Sequence, residues 1–304
     1  MKLKKSIEKA KQQRREEQLN AGQGASLAEK TEPDHLNAQN LSSEIHVNEE
    51  RSEFHRDDPN ENKNTPKPGW ISPVYSESKA VELDLEELAR NRCVCLFPDS
   101  PEAEFYKVLR TNIQQRARQN NWNTIMITSV QPREGKTLTA INLAITFAKE
   151  FDRTVLLVDC DLRRQSIHRY LNFSSDKGIV DYLLNGDSLK DLIVWPKIEK
   201  LTLISGGKTM GNSVELLGSP KMKALVWEIK HRYDDRFVIF DTPPILGWAD
   251  AITFAPLVDG ILMVVEEGRT SIQDINKAIE MLPAEKFLGF VLNRRKSPLQ
   301  KYYY

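Results

Sequence analysis

The stretch 124–139 constrains the fold most, because it reads as a buried strand, a tight loop and the first turn of a helix. The short apolar run Ile125–Ile127 is typical of a central strand. Pro132 and Gly135 end that run, and beyond Lys136 the apolar residues recur at helical spacing. A loop that leads into a helix presents backbone N–H groups to an anion. The order of these elements therefore predicts a phosphate-binding loop.

The loop also carries side chains suited to a nucleotide. In Gly135-Lys136-Thr137, the lysine places a positive charge at the β- and γ-phosphates, and the threonine offers a hydroxyl to Mg²⁺. Val130 stands where the general pattern has its first glycine. An ordinary helix cap is the alternative for these three residues alone. The predicted nucleotide-binding residues of the loop are Gln131, Pro132, Arg133, Glu134, Gly135, Lys136, Thr137 and Leu138.

Three carboxylates follow two further buried strands. Asp159 and Asp161 come after the apolar run Val155–Val158, and Asp241 ends the run that starts at Phe237. In an open α/β sheet, ligands bind at the carboxyl ends of the strands. Asp241, followed by Thr-Pro-Pro, has the pattern of a Walker B element that holds Mg²⁺. The alternative for Asp159 and Asp161 is a helix N-cap with a solvated neighbour.

Strands alternate with helices along the rest of the chain. This alternation predicts an α/β fold of the P-loop NTPase type, with a mostly parallel sheet and helices on both faces. The remaining predicted strands are 201–204, 260–265 and 287–292. Asn293, at the end of the last one, is a candidate for reading adenine, since an amide both donates and accepts hydrogen bonds. A turn-forming asparagine is the alternative.

The helix predicted over 101–118 is amphipathic. Its predicted buried face consists of Phe105, Val108, Leu109 and Ile113. Glu104, Lys107 and Arg110 lie one turn apart and off that face. These charged residues are either an interaction surface or an exposed edge with ion pairs.

Composition excludes several classes of protein. Lys+Arg and Asp+Glu are both 43, so no global field favours nucleic acid. The 3 cysteines are too few for a disulfide framework and fit a reducing cytosol. No apolar run approaches the ~20 residues of a membrane helix. We therefore expect a cytoplasmic protein.

The chain divides into four segments by composition. Residues 1–19 are basic and predict a helix, which either touches anionic lipid or a partner, or is a solvated helix. Residues 20–79 are polar and predict a disordered linker, because they cannot bury enough apolar surface to order. Residues 80–295 form the predicted folded domain. Residues 296–304 form a flexible tail that ends in Tyr302, Tyr303 and Tyr304.

Together these motifs resemble the bacterial tyrosine autokinases of the CpsD/CapB type, which control capsule and exopolysaccharide export. The resemblance covers about residues 80–304. It rests on the loop Ser129–Thr137, the motif Val158-Asp-Cys-Asp-Leu-Arg163, the motif Asp241-Thr-Pro-Pro244 and the terminal tyrosine cluster. The lead-in Asp84–Leu88 and the basic N-terminal helix are similar to the subgroup of exosortase-associated (PEP-CTERM) loci.

The resemblance implies phosphoryl transfer from ATP·Mg²⁺ to tyrosine. It implies that Lys136 stabilises the β/γ oxygens, and that Thr137, Asp161 and Asp241 hold the metal. Asp159 is the preferred acceptor of the tyrosine proton, with Asp161 able to exchange roles with it. Arg163 is expected to help hold the phosphates.

The same resemblance implies acceptors and partners. The acceptors are Tyr302, Tyr303 and Tyr304. Glu104, Lys107 and Arg110 match a family helix that packs subunits into a ring, although the family usually has arginine where Lys107 stands. The expected partners are a membrane polysaccharide co-polymerase and a tyrosine phosphatase. The protein is then peripheral at the inner face of the plasma membrane.

Two other functions fit parts of the sequence. A partition or Min-type ATPase of the same superfamily carries a second lysine early in its loop, and Gln131 stands at that position here. A nucleotide-binding scaffold without turnover predicts loss of the acids, yet Asp159, Asp161 and Asp241 are present. Both observations favour the kinase.

Overall fold

The computed structural model describes residues 78–150 and 153–295. The predictions for the basic N-terminal helix, for the linker up to residue 77 and for the tyrosine tail lie outside these residues. The strands are β1 (Lys79–Ala80), β2 (Thr124–Ser129), β3 (Thr154–Asp159), β4 (Ile193–Trp195), β5 (Leu201–Ile204), β6 (Arg236–Asp241), β7 (Gly260–Glu266) and β8 (Phe287–Asn293).

Ten α-helices connect these strands within the described part of the chain. They are α1 (Leu85–Arg90), α2 (Pro101–Asn120), α3 (Lys136–Ala148), α4 (Ile167–Tyr170), α5 (Ile179–Asn185), α6 (Leu189–Leu192), α7 (Ser213–Leu217), α8 (Pro220–His231), α9 (Asp250–Phe254) and α10 (Ile272–Glu280). Short 3₁₀ turns lie at Val94–Leu96, Ala255–Leu257 and Ala284–Lys286.

The described strands form one 8-stranded sheet in the order β1-β4-β5-β3-β6-β2-β7-β8. β3, β6, β2, β7 and β8 pair in parallel, as does β5 with β3. β4 runs antiparallel to β5, and β1 pairs with β4. The phosphate loop leaves β2 near the centre of the sheet. The carboxyl ends of β3 and β6 lie on one side of it, which is where the predicted acids are needed.

Side chains of the central strands alternate between two apolar cores. Ile125 and Ile127 face one core with α2 and α3, whereas Met126 faces the other with α5, α8 and α9. Such alternation follows from the two-residue period of a strand. In the first core, the rings of Phe147 and Phe237 stack with centroids 4.4 Å apart. The predicted α/β fold with helices on both faces is confirmed.

The predicted buried face of α2 is partly wrong. Phe105 and Val108 are 53% and 61% exposed. The buried positions are Ala103, Ile113, Gln114 and Ala117. Alanines let α2 approach α3 closely, so the contact face is rotated toward the small residues and leaves the two larger ones outside.

Two edge elements were not predicted. β4 has only three residues, and β1 has two, so neither carries a clear alternating pattern. Lys79 was assigned to the linker, but it pairs with Val194 at the edge of the sheet. β1 therefore includes one residue that was assigned to the linker.

Candidate active site

The phosphate loop is a tight connection that contacts Asn293, the last residue of β8. Gly135 has a positive φ of 96°, and a Cβ there would lie 2.1 Å from Nδ2 of Asn293. Asn293 donates a hydrogen bond of 2.8 Å from this amide nitrogen to the carbonyl of Glu134. Its own amide oxygen accepts from the N–H of Arg294 at 2.9 Å. Only glycine fits at position 135, and Asn293 contacts the loop backbone.

The side chain of Glu134 holds the loop together by hydrogen bonds. This fully buried side chain accepts the N–H of Gln131 at 2.8 Å, and the hydroxyl of Thr270 donates to its other oxygen. The Gln131 amide donates to Asp274 at 3.1 Å. These bonds tie the loop to Thr270, just before α10, and to Asp274 in the first turn of that helix. Leu138 packs against the core that contains α3.

A lysine and two carboxylates meet at the start of α3. The Nζ atom of Lys136 lies 2.7 Å from Asp161 and 3.3 Å from Asp241. Burial alone lowers the pKa of Lys136, but Asp241 and Asp161 outweigh it and raise that pKa above its usual range. The Thr137 hydroxyl donates to Asp241 at 2.6 Å and lies 3.3 Å from the hydroxyl of Ser166. The parallel sheet brings these residues together from three separate strand ends.

Asp159 is placed differently from Asp161. Its carboxylate accepts three backbone N–H groups, from Asp161 at 3.2 Å, Ser166 at 3.0 Å and Ile167 at 3.1 Å. Burial, and next the charge of Asp241, raise the pKa of Asp159 well above its usual range. Burial likewise raises the pKa of Asp241. Asp159 is fully buried, and it positions the segment that leads to α4.

Arg163 is fixed by residues that the sequence motifs did not indicate. Its Nε atom donates to both oxygens of Asp250, at 3.2 and 3.0 Å. Asp250 is fully buried and also accepts from the hydroxyl of Ser213. The guanidinium lies 6.0 Å from the ring centroid of Trp248. A single aspartate, serine or tryptophan matches no motif, so only the fold reveals this set.

A cleft of about 690 Å³ opens above these groups. Seven of the predicted residues line it: Pro132, Arg133, Gly135, Lys136, Thr137, Asp161 and Arg163. The predicted residues Gln131, Glu134, Leu138, Asp159, Asp241 and Asn293 do not. Of the two candidate proton acceptors, Asp161 faces the cleft and Asp159 does not.

The three charged residues of α2 lie apart from this cleft. Lys107 and Glu104 form an exposed ion pair of 2.5 Å. Arg110 pairs with Glu150 at 2.7 Å and donates to the carbonyl of Thr146 at 2.9 Å. Arg110 was expected at the surface with the other two, but it is mostly buried because it binds the end of α3 within the same subunit.

The comparisons with known proteins agree with the geometry of the site. Residues 123–285 match a family described as an AAA domain. The tyrosine-protein kinase YwqD of Bacillus subtilis is 36% identical over 211 residues, which cover 69% of this chain and 88% of that protein. The tyrosine-protein kinase CpsD of Streptococcus agalactiae is 32% identical over 202 residues, with coverage of 66% and 86%.

Solved structures agree. The chimerical protein CapA2B2 superimposes with a TM-score of 0.62 at 29% identity, covering 74% of this chain and 96% of that one. The kinase domain of the Escherichia coli tyrosine kinase ETK gives a TM-score of 0.61 at 30% identity, with coverage of 68% and 82%. Among the described helices, none has the length and apolar character needed to cross a membrane.

Proposed function

The chain belongs to the family of bacterial tyrosine-protein kinases, and from this premise we propose that it transfers the γ-phosphoryl group of ATP to tyrosines of its own C-terminal cluster. The observation that carries this proposal is the position of Lys136, 2.7 Å from Asp161 and beside the loop that faces the cleft. A fixed cation and a carboxylate then flank the site of phosphoryl transfer. Phosphoryl transfer depends mainly on such positioning and charge neutralisation.

The donor set fits a magnesium–nucleotide complex. Mg²⁺ is usually bound through one or two carboxylates together with substrate phosphates and waters. Thr137, Asp161 and Asp241 offer a hydroxyl and two carboxylates within one hydrogen-bonded group. When bound, the metal neutralises charge on the phosphates. Lys136 would then be the cation at the β- and γ-oxygens, and Arg163, held by Asp250, would add a second cation.

We assign the proton-accepting role to Asp161. Both carboxylates are buried, but Asp161 lines the cleft, whereas Asp159 does not and accepts three backbone N–H groups. The tyrosine oxygen attacks the γ-phosphorus, the bond to the β–γ bridging oxygen breaks, and ADP leaves. The phenol proton passes to Asp161 and then to solvent. Asn293 positions the loop through Glu134, and its contact with adenine stays a prediction.

Assembly and location are the second part of the proposal. The exposed Phe105 and Val108 flank the Glu104–Lys107 ion pair and support a subunit contact along α2. We propose a homo-oligomer, a ring in the family pattern, that works beside a membrane polysaccharide co-polymerase in polysaccharide polymerisation and export. The basic segment 1–19 and the linker 20–79 would hold the domain 80–295 near that membrane partner. A tyrosine phosphatase would reset the cluster.

The test is incubation of the purified chain with Mg²⁺ and γ-labelled ATP, followed by mapping of phosphotyrosine. We expect label on Tyr302, Tyr303 and Tyr304, and its loss when all three are changed to phenylalanine while ATP still binds. Hydrolysis of ATP without any phosphotyrosine, even with the membrane partner supplied, would instead support a partition-type ATPase. We expect Tyr106 to be a poor acceptor, because burial raises the pKa of its phenol to about 12.

A further inference from the structure

The cleft carries a strong excess of positive charge. The cationic side chains that line it are Arg133, Lys136, Arg163, Arg164, Arg169 and Arg294. Within the described residues, Asp161 is the one carboxylate in that lining. The whole chain has equal numbers of acidic and basic side chains. The positive charge is therefore concentrated at this cleft.

Three of the six cations have carboxylate partners. Lys136 pairs with Asp161, Arg163 with Asp250 at 3.0 Å, and Arg294 with Glu266 at 3.0 Å. Within residues 78–150 and 153–295, the other three have no ion pair. Arg133 belongs to the phosphate loop and is expected to face the nucleotide. Arg164 and Arg169 lie outside the phosphate loop and are available to bind a second ligand.

Arg164 and Arg169 are exposed but anchored beside the reacting groups. The N–H of Arg164 donates to Asp161 at 3.0 Å, so its backbone is fixed next to the proposed proton acceptor. Arg169 lies on α4, whose first N–H groups donate to Asp159, and its guanidinium donates to the carbonyl of Gln165. Arg164 and Arg169 line the same cleft as Asp161, so a tyrosine bound in that cleft lies close to both arginines. Cations held beside a binding site select partners by charge.

We infer that the acceptor side of the cleft selects tyrosines that have an anionic group beside them. This inference rests on the proposed kinase function, because it concerns the acceptor of the same reaction. The anion can be an acidic side chain or a neighbouring phosphotyrosine, since each is a ligand for arginine. The transfer step is unchanged, and only the affinity for the acceptor segment depends on Arg164 and Arg169.

The chain's own tail gives this selectivity a consequence. Residues 294–304 contain Arg294, Arg295, Lys296 and Lys301 and no acidic side chain. The unmodified tail therefore matches the two arginines poorly. The first phosphate adds about two negative charges beside the remaining tyrosines of the cluster. Phosphorylation of the cluster then accelerates after its first event.

The experiment uses the full chain with Tyr302, Tyr303 and Tyr304 changed to phenylalanine, so that added peptides do not compete with self-labelling. Four tyrosine peptides of equal length carry glutamate, glutamine, lysine or phosphotyrosine next to the acceptor. Each is measured for kcat and KM, and for binding by fluorescence anisotropy with Mg²⁺ and ADP. The variants are Arg164→Gln and Arg169→Gln, with Arg118→Gln on the exposed end of α2 as the matched control.

We expect the glutamate and phosphotyrosine peptides to bind about 10-fold more tightly than the lysine peptide, which corresponds to about 1.4 kcal/mol, because an attractive charge pair at the surface replaces a repulsive one. Arg164→Gln and Arg169→Gln should remove most of that preference through KM, with kcat and ATP binding retained. High salt should also reduce the preference for the anionic peptides. Preference for only one of the two anionic peptides identifies which anion is recognised.

Equal binding of all four peptides, or an equal loss for all four in the variants, would overturn the inference. Binding is measured without transfer, so the outcome does not depend on activity. A charge preference in binding without any peptide phosphorylation would contradict the proposed function and leave the charge selectivity standing. Phosphorylation of all four peptides at the same kcat/KM would support the proposed function and contradict the charge selectivity.

Discussion

At the scale of single residues, Lys136 is the centre of the site. It is almost fully buried and lies within 3.3 Å of two carboxylates that would otherwise be close, uncompensated charges. In the proposed mechanism the same amino group has two functions. Without nucleotide it neutralises Asp161 and Asp241, and with nucleotide it would stabilise the transferring phosphoryl group. A buried charge pair broken on one side is costly, so both functions are sensitive to its loss.

Lys136→Ala should lower autophosphorylation by at least ~10²-fold, because it removes a preorganised cation from the transition state. The measurement is incorporation of γ-label into phosphotyrosine, with circular dichroism as the check on folding. Lys223→Ala, which changes an exposed lysine of α8, is the matched control and should be neutral. Full activity in a folded Lys136→Ala protein would remove the assignment of the phosphate loop.

The residues of the site were predictable to different degrees for physical reasons. Lys136 and Thr137 begin the helix after β2, and the three acids lie at or just after the ends of β3 and β6, so local sequence was sufficient to place them. Asp250 and Thr270 act through contacts with residues more than 80 positions away, at Arg163 and Glu134. Such isolated polar residues have no spacing to recognise. The proposed choice of Asp161 over Asp159 rests on which of the two buried carboxylates lines the cleft, and a two-residue spacing does not reveal that.

At the scale of elements, the apolar pattern of the sequence predicted the strands well but predicted the buried face of helix α2 less well. The strands of the main parallel sheet were placed correctly because their apolar runs are long and end at turn residues or acids. In α2, Ile113 is buried and Leu109 packs against the core as predicted, but Phe105 and Val108 are exposed. Helices pack closely through alanines, and the face with Phe105 and Val108 was left exposed. An exposed apolar pair is a common sign of a protein interface.

Val108→Asp should weaken oligomerisation without destabilising the subunit. Val108 is 61% exposed, so an aspartate costs little in the monomer, within about 0.5 kcal/mol, but is desolvated in an interface. Size-exclusion chromatography with light scattering measures the assembly, and thermal unfolding measures the subunit. Arg110→Glu is the contrasting variant. It should lower the melting temperature, because Arg110 binds Glu150 and Thr146 within the subunit. An unchanged assembly in Val108→Asp would exclude this face as the contact.

Asp259 joins three elements at the opposite end of the sheet. It accepts the N–H groups of Asn123 and Thr124 at 3.1 Å, the Thr124 hydroxyl at 2.8 Å, and the ammonium group of Lys230. Burial raises the pKa of Asp259, but Lys230 and these hydrogen bonds outweigh it and lower the pKa below its usual range. A depressed carboxylate pKa stabilises the fold above the unfolded-state pKa and loses that effect as the pH falls.

Asp259→Asn should therefore lower the free energy of unfolding by about 1–3 kcal/mol at pH 7, since hydrogen bonds to a charged group are lost. The difference from the wild type should shrink as the pH falls below about 4, where the wild-type carboxylate also becomes protonated. Urea unfolding at several pH values measures it. Asp234→Asn, at an exposed site nearby, is the control. A difference that does not depend on pH would show that the charge of Asp259 contributes nothing.

At the scale of the whole molecule, the question is which active site receives the tyrosine tail. Tyr304 lies nine residues beyond Arg295, the last described residue. An extended chain covers at most ~3.5 Å per residue, so the tail reaches roughly 30 Å. That distance permits transfer within one chain and transfer to a neighbour. Membership of the kinase family and the exposed face of α2 favour a neighbour held side by side.

We therefore predict that an inactive Lys136→Ala subunit with an intact tail becomes phosphorylated when it is mixed with active protein lacking residues 302–304. A size tag on the inactive subunit separates the two products, and Lys136→Ala lacking 302–304 should stay unlabelled. Val108→Asp in the mixture should reduce the label in proportion to the loss of assembly, because transfer between chains requires contact. If the inactive subunit stays unlabelled under conditions where the wild type labels itself, phosphoryl transfer takes place within one chain, and the α2 contact has no part in it.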